Sequence, residues 1–514
     1  MLIRICGAKC VGIEAVNVTV EVSIDRGIGI HLVGLADVAV KESLLRTTTA
    51  LQALGYHIPG KKIVINLAPA DVHKNGSGYD LPIAIGVIAA SEQCALPYAG
   101  KYMMMGELGL DGSVRGIPGG LLFAELAGQE GMDGVILPLD SAMEAAELEN
   151  TKVYGVETLN DVVRILSGEE CDEMLVTNSH SPVCKPADIP DFSDIIGLEG
   201  PKRGMEIAAA GGHNIAMIGP PGSGKSSLAK ALVGILPPMS REESLETSKI
   251  FSIAGKGSLR YGLIDTRPFR SPHYSASLAA IIGGGGGDGI VPGEISLAHN
   301  GVLFLDEAAQ MPRSVAEALR APVEDRKVVI SRLKSKVEYP SSFMLVLASN
   351  PCPCGYWGVG DRCTCTPTQR LNYLSRLSGP MMDRIDIHLS VPNISAAELK
   401  RLKSAVTPEP SSVVAARVKA ARGLQHRRFI GENINSNAEM GNKHIERFCL
   451  LDEECNALLM SIMERMGFSM RAYFRIIKVA RTIADLAASE CIRPVHISEA
   501  ASFRYLDRVG TVRF

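Results

Sequence analysis

Val16, Val18, Val20, Val22 and Ile24 alternate with Asn17, Thr19, Glu21, Ser23 and Asp25. That period of two predicts a strand with one buried and one wet face. Ile63-Val64-Ile65 reads as a further strand, and helical periodicity follows over Leu81 to Ala90 and Gly120 to Ala127. Residues 1–168 therefore read as an α+β domain. The pattern then breaks: Glu169, Glu170, Asp172 and Glu173 precede Asn178-Ser179-His180-Ser181-Pro182, Pro186 and Pro190, which predicts a linker over 169–191. From 192 to 392, buried-strand candidates at Asn214–Ile218, Gly301–Leu305 and Phe343–Leu347 alternate with helices, as a parallel α/β sheet requires. Ligands in such sheets collect at the carboxyl ends of the strands. Residues 393–514 read as all-helical, with an amphipathic segment at Ile476–Leu486 and a helix start at Asp452-Glu453-Glu454.

The length of 514 residues fits about three domains at ~150 residues each. With 46% apolar and 21% charged residues the composition excludes a disordered chain. A net charge of −3 gives no overall basic bias, so any nucleic-acid contact must be a local patch or the work of a ring-shaped assembly. No apolar run reaches membrane-spanning length, and Met1–Val11 carries Arg4 and Lys9 without a signal-type apolar stretch, so no membrane contact and a cytoplasmic location are expected. Twelve cysteines, scattered apart from one cluster, fit mostly buried thiols in a reducing compartment.

The candidate chemistry sits at the three strand ends. Gly219-Pro220-Pro221-Gly222-Ser223-Gly224-Lys225-Ser226 follows one strand and precedes a helix opening at Ser227. In that context glycines let backbone N–H groups wrap phosphates, the helix N-terminus faces them, Lys225 reaches the outer phosphates and Ser226 holds Mg²⁺. A chance glycine-rich turn is the plain alternative. The second strand end argues against it, because Asp306 and Glu307 follow Val302–Leu305. Asp306 would hold the magnesium and Glu307 would polarise an attacking water. The third strand ends in Ala348-Ser349-Asn350, placing an amide near the γ-phosphate. Hydrolysis also calls for a positive charge at the transition state, often delivered by a neighbouring subunit. Arg384 and Arg471 are the candidates, against the ordinary fate of a surface salt bridge.

Three further features stand apart. Cys352, Cys354, Cys363 and Cys365 share one loop and could supply a tetrahedral Zn²⁺ site, although their C-x-C spacing departs from the usual C-x₂-C; unpaired or redox-sensitive thiols are the alternative. The five glycines at Gly283–Gly287 read as unlikely material for regular structure and as a mobile pore loop beside Arg270, His273 and Tyr274, or else as a flexible linker. Arg417, Lys419, Arg422, Arg427 and Arg428 fall at helical intervals, fitting a solvated or subunit-contact face better than one tracking DNA.

Long motifs then carry a resemblance. Arg267–Ser277, Pro292–Glu307, Asn350-Pro351-Cys352-Pro353-Cys354-Gly355 and Val479–Asp485 resemble the magnesium-chelatase-like AAA+ ATPases over 192–392, and essentially the whole chain resembles the ComM/YifB family of bacterial proteins. The resemblance implies an ATP- and Mg²⁺-dependent homo-hexameric ring with a C-terminal helical lid. It implies that Asn350 is a sensor of the γ-phosphate, Arg384 an arginine finger acting in trans and Arg471 a second sensor. It further implies a DNA motor of branch migration in natural transformation. A chelatase motor subunit, a protein-remodelling ATPase and a non-hydrolysing scaffold are the rivals. Gly106–Arg115 and Gly119-Gly120 resemble the Lon-protease, ribosomal-protein-S5-like fold, but Gly78 stands where that family has its nucleophile and Leu122 where it has its lysine base. Proteolysis is therefore not expected, and a binding or bracing role is.

Overall fold

The alternation at Val16–Ile24 folds into the strand Glu14–Asp25, burying Val18, Val20 and Val22 completely. It pairs antiparallel with Leu2–Val11, which the sequence reading did not single out, and with Lys62–Ala68, which contains the expected Ile63-Val64-Ile65. These are part of a seven-stranded mixed sheet ordered Gly29–Val33, Lys62–Ala68, Glu14–Asp25, Leu2–Val11, Tyr102–Met104, Gly134–Pro138, Val153–Val156. The helices Asp80–Ala90 and Gly120–Gln129 cover it and complete its apolar core. The computed structural model describes residues 2–176, 189–256, 262–285, 290–332, 335–377, 379–394, 401, 408–504 and 506.

Part of the expected linker is stitched to this sheet. Asp172–Met174 forms a 3-10 turn and the Val176 N–H donates to the Val153 carbonyl at 2.9 Å. The rest of the linker, 177–188, lies outside the described residues.

The central sheet has five parallel strands in the order Phe269–Arg270, Val302–Leu305, Met344–Ser349, Ile215–Ile218, Ile387–Ser390. Three of them are the expected buried runs, and every residue of Val302–Leu305 and Met344–Ser349 is buried, as a sheet covered on both faces demands. Asn214 locks their starts together: its side-chain oxygen accepts from the Leu345 N–H at 2.8 Å, and its amide donates to the Arg384 carbonyl at 3.2 Å.

The C-terminal helices share one apolar core with this sheet rather than forming a separate body. Ser411–Arg428 and Met470–Leu486 pack on Glu199–Gly211, and Asp452 caps Glu453–Met466 by accepting from the Cys455 N–H. Polar bolts reinforce the joint. His213 is fully buried, its Nε2 2.8 Å from Thr482 Oγ1 and its Nδ1 3.6 Å from Asp386. Arg475 pairs with Asp386, and Arg428 and Arg481 pair with Asp485. Burial opposes the charge on Asp386, yet Arg475, His213 and Lys478 together hold its carboxyl far below the usual range.

Two expectations need correcting. Gly283–Gly284 pairs antiparallel with Val291–Pro292, so the glycine run is partly regular. The reason is close approach: a Cβ on Gly283, at φ +106°, would sit 2.7 Å from the Val291 carbonyl. Gly286 and Gly287 lie outside the described residues, and Arg270 is engaged by Glu294 at 2.6 Å. The basic helix face, in turn, is largely spent within the chain. Arg417 pairs with Glu206 and Glu409, Arg422 donates to the Ala209 carbonyl and Arg428 reaches Asp485.

The helix Arg241–Ile253 joins the first two regions. Lys249 pairs with Glu125 at 2.6 Å, the Gly119 N–H donates to the Ser252 carbonyl at 3.1 Å, and the Ser252 hydroxyl donates to Glu144. Burial pushes the Glu144 carboxyl up to about 7, against the Ser252 hydroxyl and the Leu121 amide that favour its charge. A folded-state value above the unfolded one means a contribution fully present at acidic pH and lost as pH rises through about 7. Glu144→Gln stays neutral, so its stability relative to the parent should rise by up to about 3 kcal/mol from pH 5 to pH 8 in urea unfolding. A pH-independent difference would contradict this reading.

Candidate active site

The parallel register fixes which side chains meet. Ile218 pairs with Ser349 and Leu305 with Leu347, so three chains leave the sheet at one edge. There Gly219 to Gly224 turn into the helix Lys225–Val233, with Gly224 left-handed at its N-cap. The Gly219 N–H donates to the Ser349 carbonyl at 3.2 Å, tying the loop to the third strand.

Lys225 is buried, and its ammonium donates to the carbonyls of Gly219 and Pro220 at 2.7 and 2.9 Å and approaches Asn350 Oδ1 at 3.4 Å. Burial lowers its pKa while Asp306 and Glu307 oppose that shift. Ser226 Oγ donates to Asp306 Oδ2 at 3.2 Å. Glu307 occupies a left-handed conformation, φ +50° and ψ 38°, with its N–H bonded to Asp306 Oδ1 at 2.8 Å. Such a backbone is uncommon for a non-glycine residue, and residues held this way cluster at functional sites. Residues 219–227, Asp306, Glu307 and Asn350 are thus gathered at one strand edge.

The two arginines are placed differently. Arg384 Nε donates to the Arg320 carbonyl at 3.1 Å, and its guanidinium pairs with Glu324 at 2.8 Å in the same chain. Arg471 is 72% exposed and pairs at 2.6 Å with Asp383, the residue before Arg384. Arg504 donates to the Ile385 carbonyl at 2.5 Å, so the segment 383–386 is gripped by arginines of the C-terminal region, with Arg475 on Asp386. The sequence reading missed Arg475, Arg504, His213 and Asn214, since only the folded chain brings 213–214, 383–386 and 475–504 together. It also missed Tyr373, a buried phenol whose pKa burial raises, with Ser349 opposing and the charge of Glu307 adding to that shift.

The residues fit a nucleotide with its magnesium. Ser223 Oγ is buried with no hydrogen-bond partner among the described residues, an orphan that a phosphate oxygen would satisfy. The Ser226 hydroxyl and Asp306 carboxylate are the hard oxygen donors Mg²⁺ prefers. A cavity of about 300 Å³ lies beside them, lined by Leu198, Glu199, Pro201, Pro392, Asn393 and Arg401. It adjoins the loop because the N–H of Val391, next to Pro392, donates to the carbonyl of Ile218, next to Gly219.

With this geometry in hand, the relatives are informative. The family model "Magnesium chelatase, subunit ChlI" matches residues 191–399, "Subunit ChlI of Mg-chelatase" matches 20–141 and "Magnesium chelatase, subunit ChlI C-terminal" matches 408–504. The YifB proteins of Salmonella typhimurium and Escherichia coli K12 are 42% and 43% identical to the chain, covering 97% of it and 96% of each relative. The competence protein ComM of Haemophilus influenzae is 40% identical over the same shares. The chain belongs to the ComM/YifB family. It is a magnesium-chelatase-like AAA+ protein of multidomain α/β build with a helical C-terminal region. Among the described residues no helix is long and apolar enough to cross a membrane.

Within this ComM/YifB site, the four-cysteine loop leans on the loop 219–224. Gly355 has φ +85°, and a Cβ there would sit 2.8 Å from Pro221 Cδ. Gly355→Ala should therefore displace Pro221, destabilise the protein by about 1–3 kcal/mol and weaken nucleotide binding. Nucleotide titration and thermal melting check this; parental affinity in the variant would show that the contact does not matter.

Proposed function

We propose that this protein is an ATP-hydrolysing ring motor that moves DNA, in the manner expected of a branch-migration helicase in recombination. The convergence of Lys225, Ser226, Asp306 and Asn350 at one sheet edge carries the ATPase part of the reading. Phosphate oxygens would take over the three contacts Lys225 now makes and satisfy Ser223, while the 300 Å³ cavity would receive the base. Ser226 and Asp306 would hold Mg²⁺, which supplies charge neutralisation at the phosphates. Glu307 would orient and polarise the attacking water, Asn350 would align it, and Arg384 of a neighbouring subunit would stabilise the transition-state charge.

Delivery in trans requires a ring, and a homo-hexamer is the assembly proposed. Arg471, through Asp383, would couple the lid to the segment bearing Arg384. DNA as cargo is supported by the similarity to the competence protein ComM, and with a net charge of −3 its contacts would be a local patch or the work of the assembled ring. The N-terminal region, read as a Lon-like fold without the protease residues, would brace the ring; Leu122 is buried in its core and Ser77 is bonded to Glu107.

The chelatase matches favour a second reading, a motor subunit for metal insertion into a tetrapyrrole. The two readings separate in one assay. Lys225→Ala should abolish ATP turnover, and Glu307→Gln should bind ATP with turnover reduced at least about 100-fold. Turnover in the parent should rise with forked or single-stranded DNA; parental turnover in Glu307→Gln would remove that residue as the base. Indifference to every DNA, with stimulation by a protein or tetrapyrrole-binding partner, would overturn the DNA reading.

A further inference from the structure

The four cysteines that the nucleotide chemistry leaves unused converge. The sulfur of Cys352 lies 3.3 Å from Cys354 and 3.8 Å from Cys363, and Cys354 lies 3.7 Å from Cys363. All four sulfurs, Cys365 included, lie within 4.8 Å of one another, and none is in a disulfide. Tetrahedral Zn²⁺ with Zn–S bonds of about 2.3 Å requires sulfurs about 3.8 Å apart, which the Cys352–Cys363 and Cys354–Cys363 pairs already match. Cys352 and Cys365 are buried.

The elements around the cluster say what it would hold. Cys352 follows Asn350 by two residues, at the end of the Met344–Ser349 strand. Gly355, next after Cys354, rests on Pro221 of the phosphate loop. Cys365 precedes Thr366, which caps the helix Pro367–Leu374 that carries Tyr373 toward Ser349 and Glu307. The loop between them has only a short 3-10 turn at Gly360–Arg362 and little apolar core of its own. A metal clip would close such a segment and fix three parts of the site at once.

We propose that Cys352, Cys354, Cys363 and Cys365 bind one structural Zn²⁺ as thiolates, and that this clip positions Asn350, the Pro221 side of the phosphate loop and Tyr373. Binding converts the four thiols to thiolates and releases their protons to solvent. The positioning half rests on the nucleotide reading above; the metal half does not.

The chain supplies its own reporter. Trp357 is the single tryptophan of the sequence and sits inside the clipped loop, 40% exposed, with the Arg370 guanidinium 5.5 Å from its ring. Full-length protein purified without chelator should contain about one zinc per chain by elemental analysis. Stripping it should shift Trp357 emission to the red, and adding Zn²⁺ should reverse the shift. Cobalt(II) added to stripped protein should give the thiolate charge-transfer and tetrahedral d–d bands. Cys363→Ser should lose the zinc, and if that variant does not fold, the cobalt spectrum of the parent decides alone.

Hydrogen exchange reads the positioning half without any ATP assay: amides of 350–357 and 219–224 should lose protection together when zinc is removed. Zinc near zero, iron in its place, or a Cys–Cys disulfide found by mass spectrometry would overturn the zinc site. Loss of protection confined to 352–365 would leave the metal site standing and overturn its role in positioning.

Discussion

Three parallel strands, Ile215–Ile218, Val302–Leu305 and Met344–Ser349, are held in a register that ends them at the same edge of the sheet, and the candidate site follows from that constraint. Ser349 opposite Ile218 places Asn350 against Lys225, and Leu347 opposite Leu305 places Asp306 against Ser226. A slip of one residue in a parallel pair turns every side chain to the other face. Both faces of these strands are buried, so the fit of individual side chains against the layers on either side opposes that slip, and the core that stabilises the sheet also aligns its chemistry.

The same economy links the lid to the sheet. Asn214 ties Leu345 to the Arg384 backbone, while Arg471, Arg475 and Arg504 grip the segment 383–386 from the C-terminal helices. His213 and Asp386 lie buried between those two layers. Breaking a buried, partnered charge costs far more than breaking a surface pair, so the Arg475–Asp386 pair holds the 383–386 segment to the C-terminal helices more firmly than the exposed Arg471–Asp383 pair does.

How much of this was legible in the chain depended on range. The strands at 215–218, 302–305 and 344–349, and the loop between Gly219 and Lys225, are written in local period and short motifs. So is the helix start at Asp452, because a cap needs only neighbours three residues away. The fates of the arginines were not legible. Arg417, Arg422 and Arg428 look like an outward basic face at helical spacing, but that spacing does not say which face packs inward. The hairpin pairing Lys327–Arg332 with Ser335–Pro340 also went unread, since the Leu333-Lys334 that joins its strands in sequence carries no turn signal. The cysteines show the reverse case: C-x-C spacing counted against a metal site, yet the turns around Gly355 and Gly360 bring all four sulfurs together.

The central claim is that each catalytic site is shared between two subunits. Mixing two inactive variants tests it most directly: Lys225→Ala lacks the nucleotide side, and Arg384→Ala lacks the arginine it would present to a neighbour. If sites are composite, co-assembled mixtures should recover ATP turnover, because some interfaces join an intact Lys225 to an intact Arg384. Turnover that stays at the level of the separate variants, in rings shown to contain both, would contradict the account.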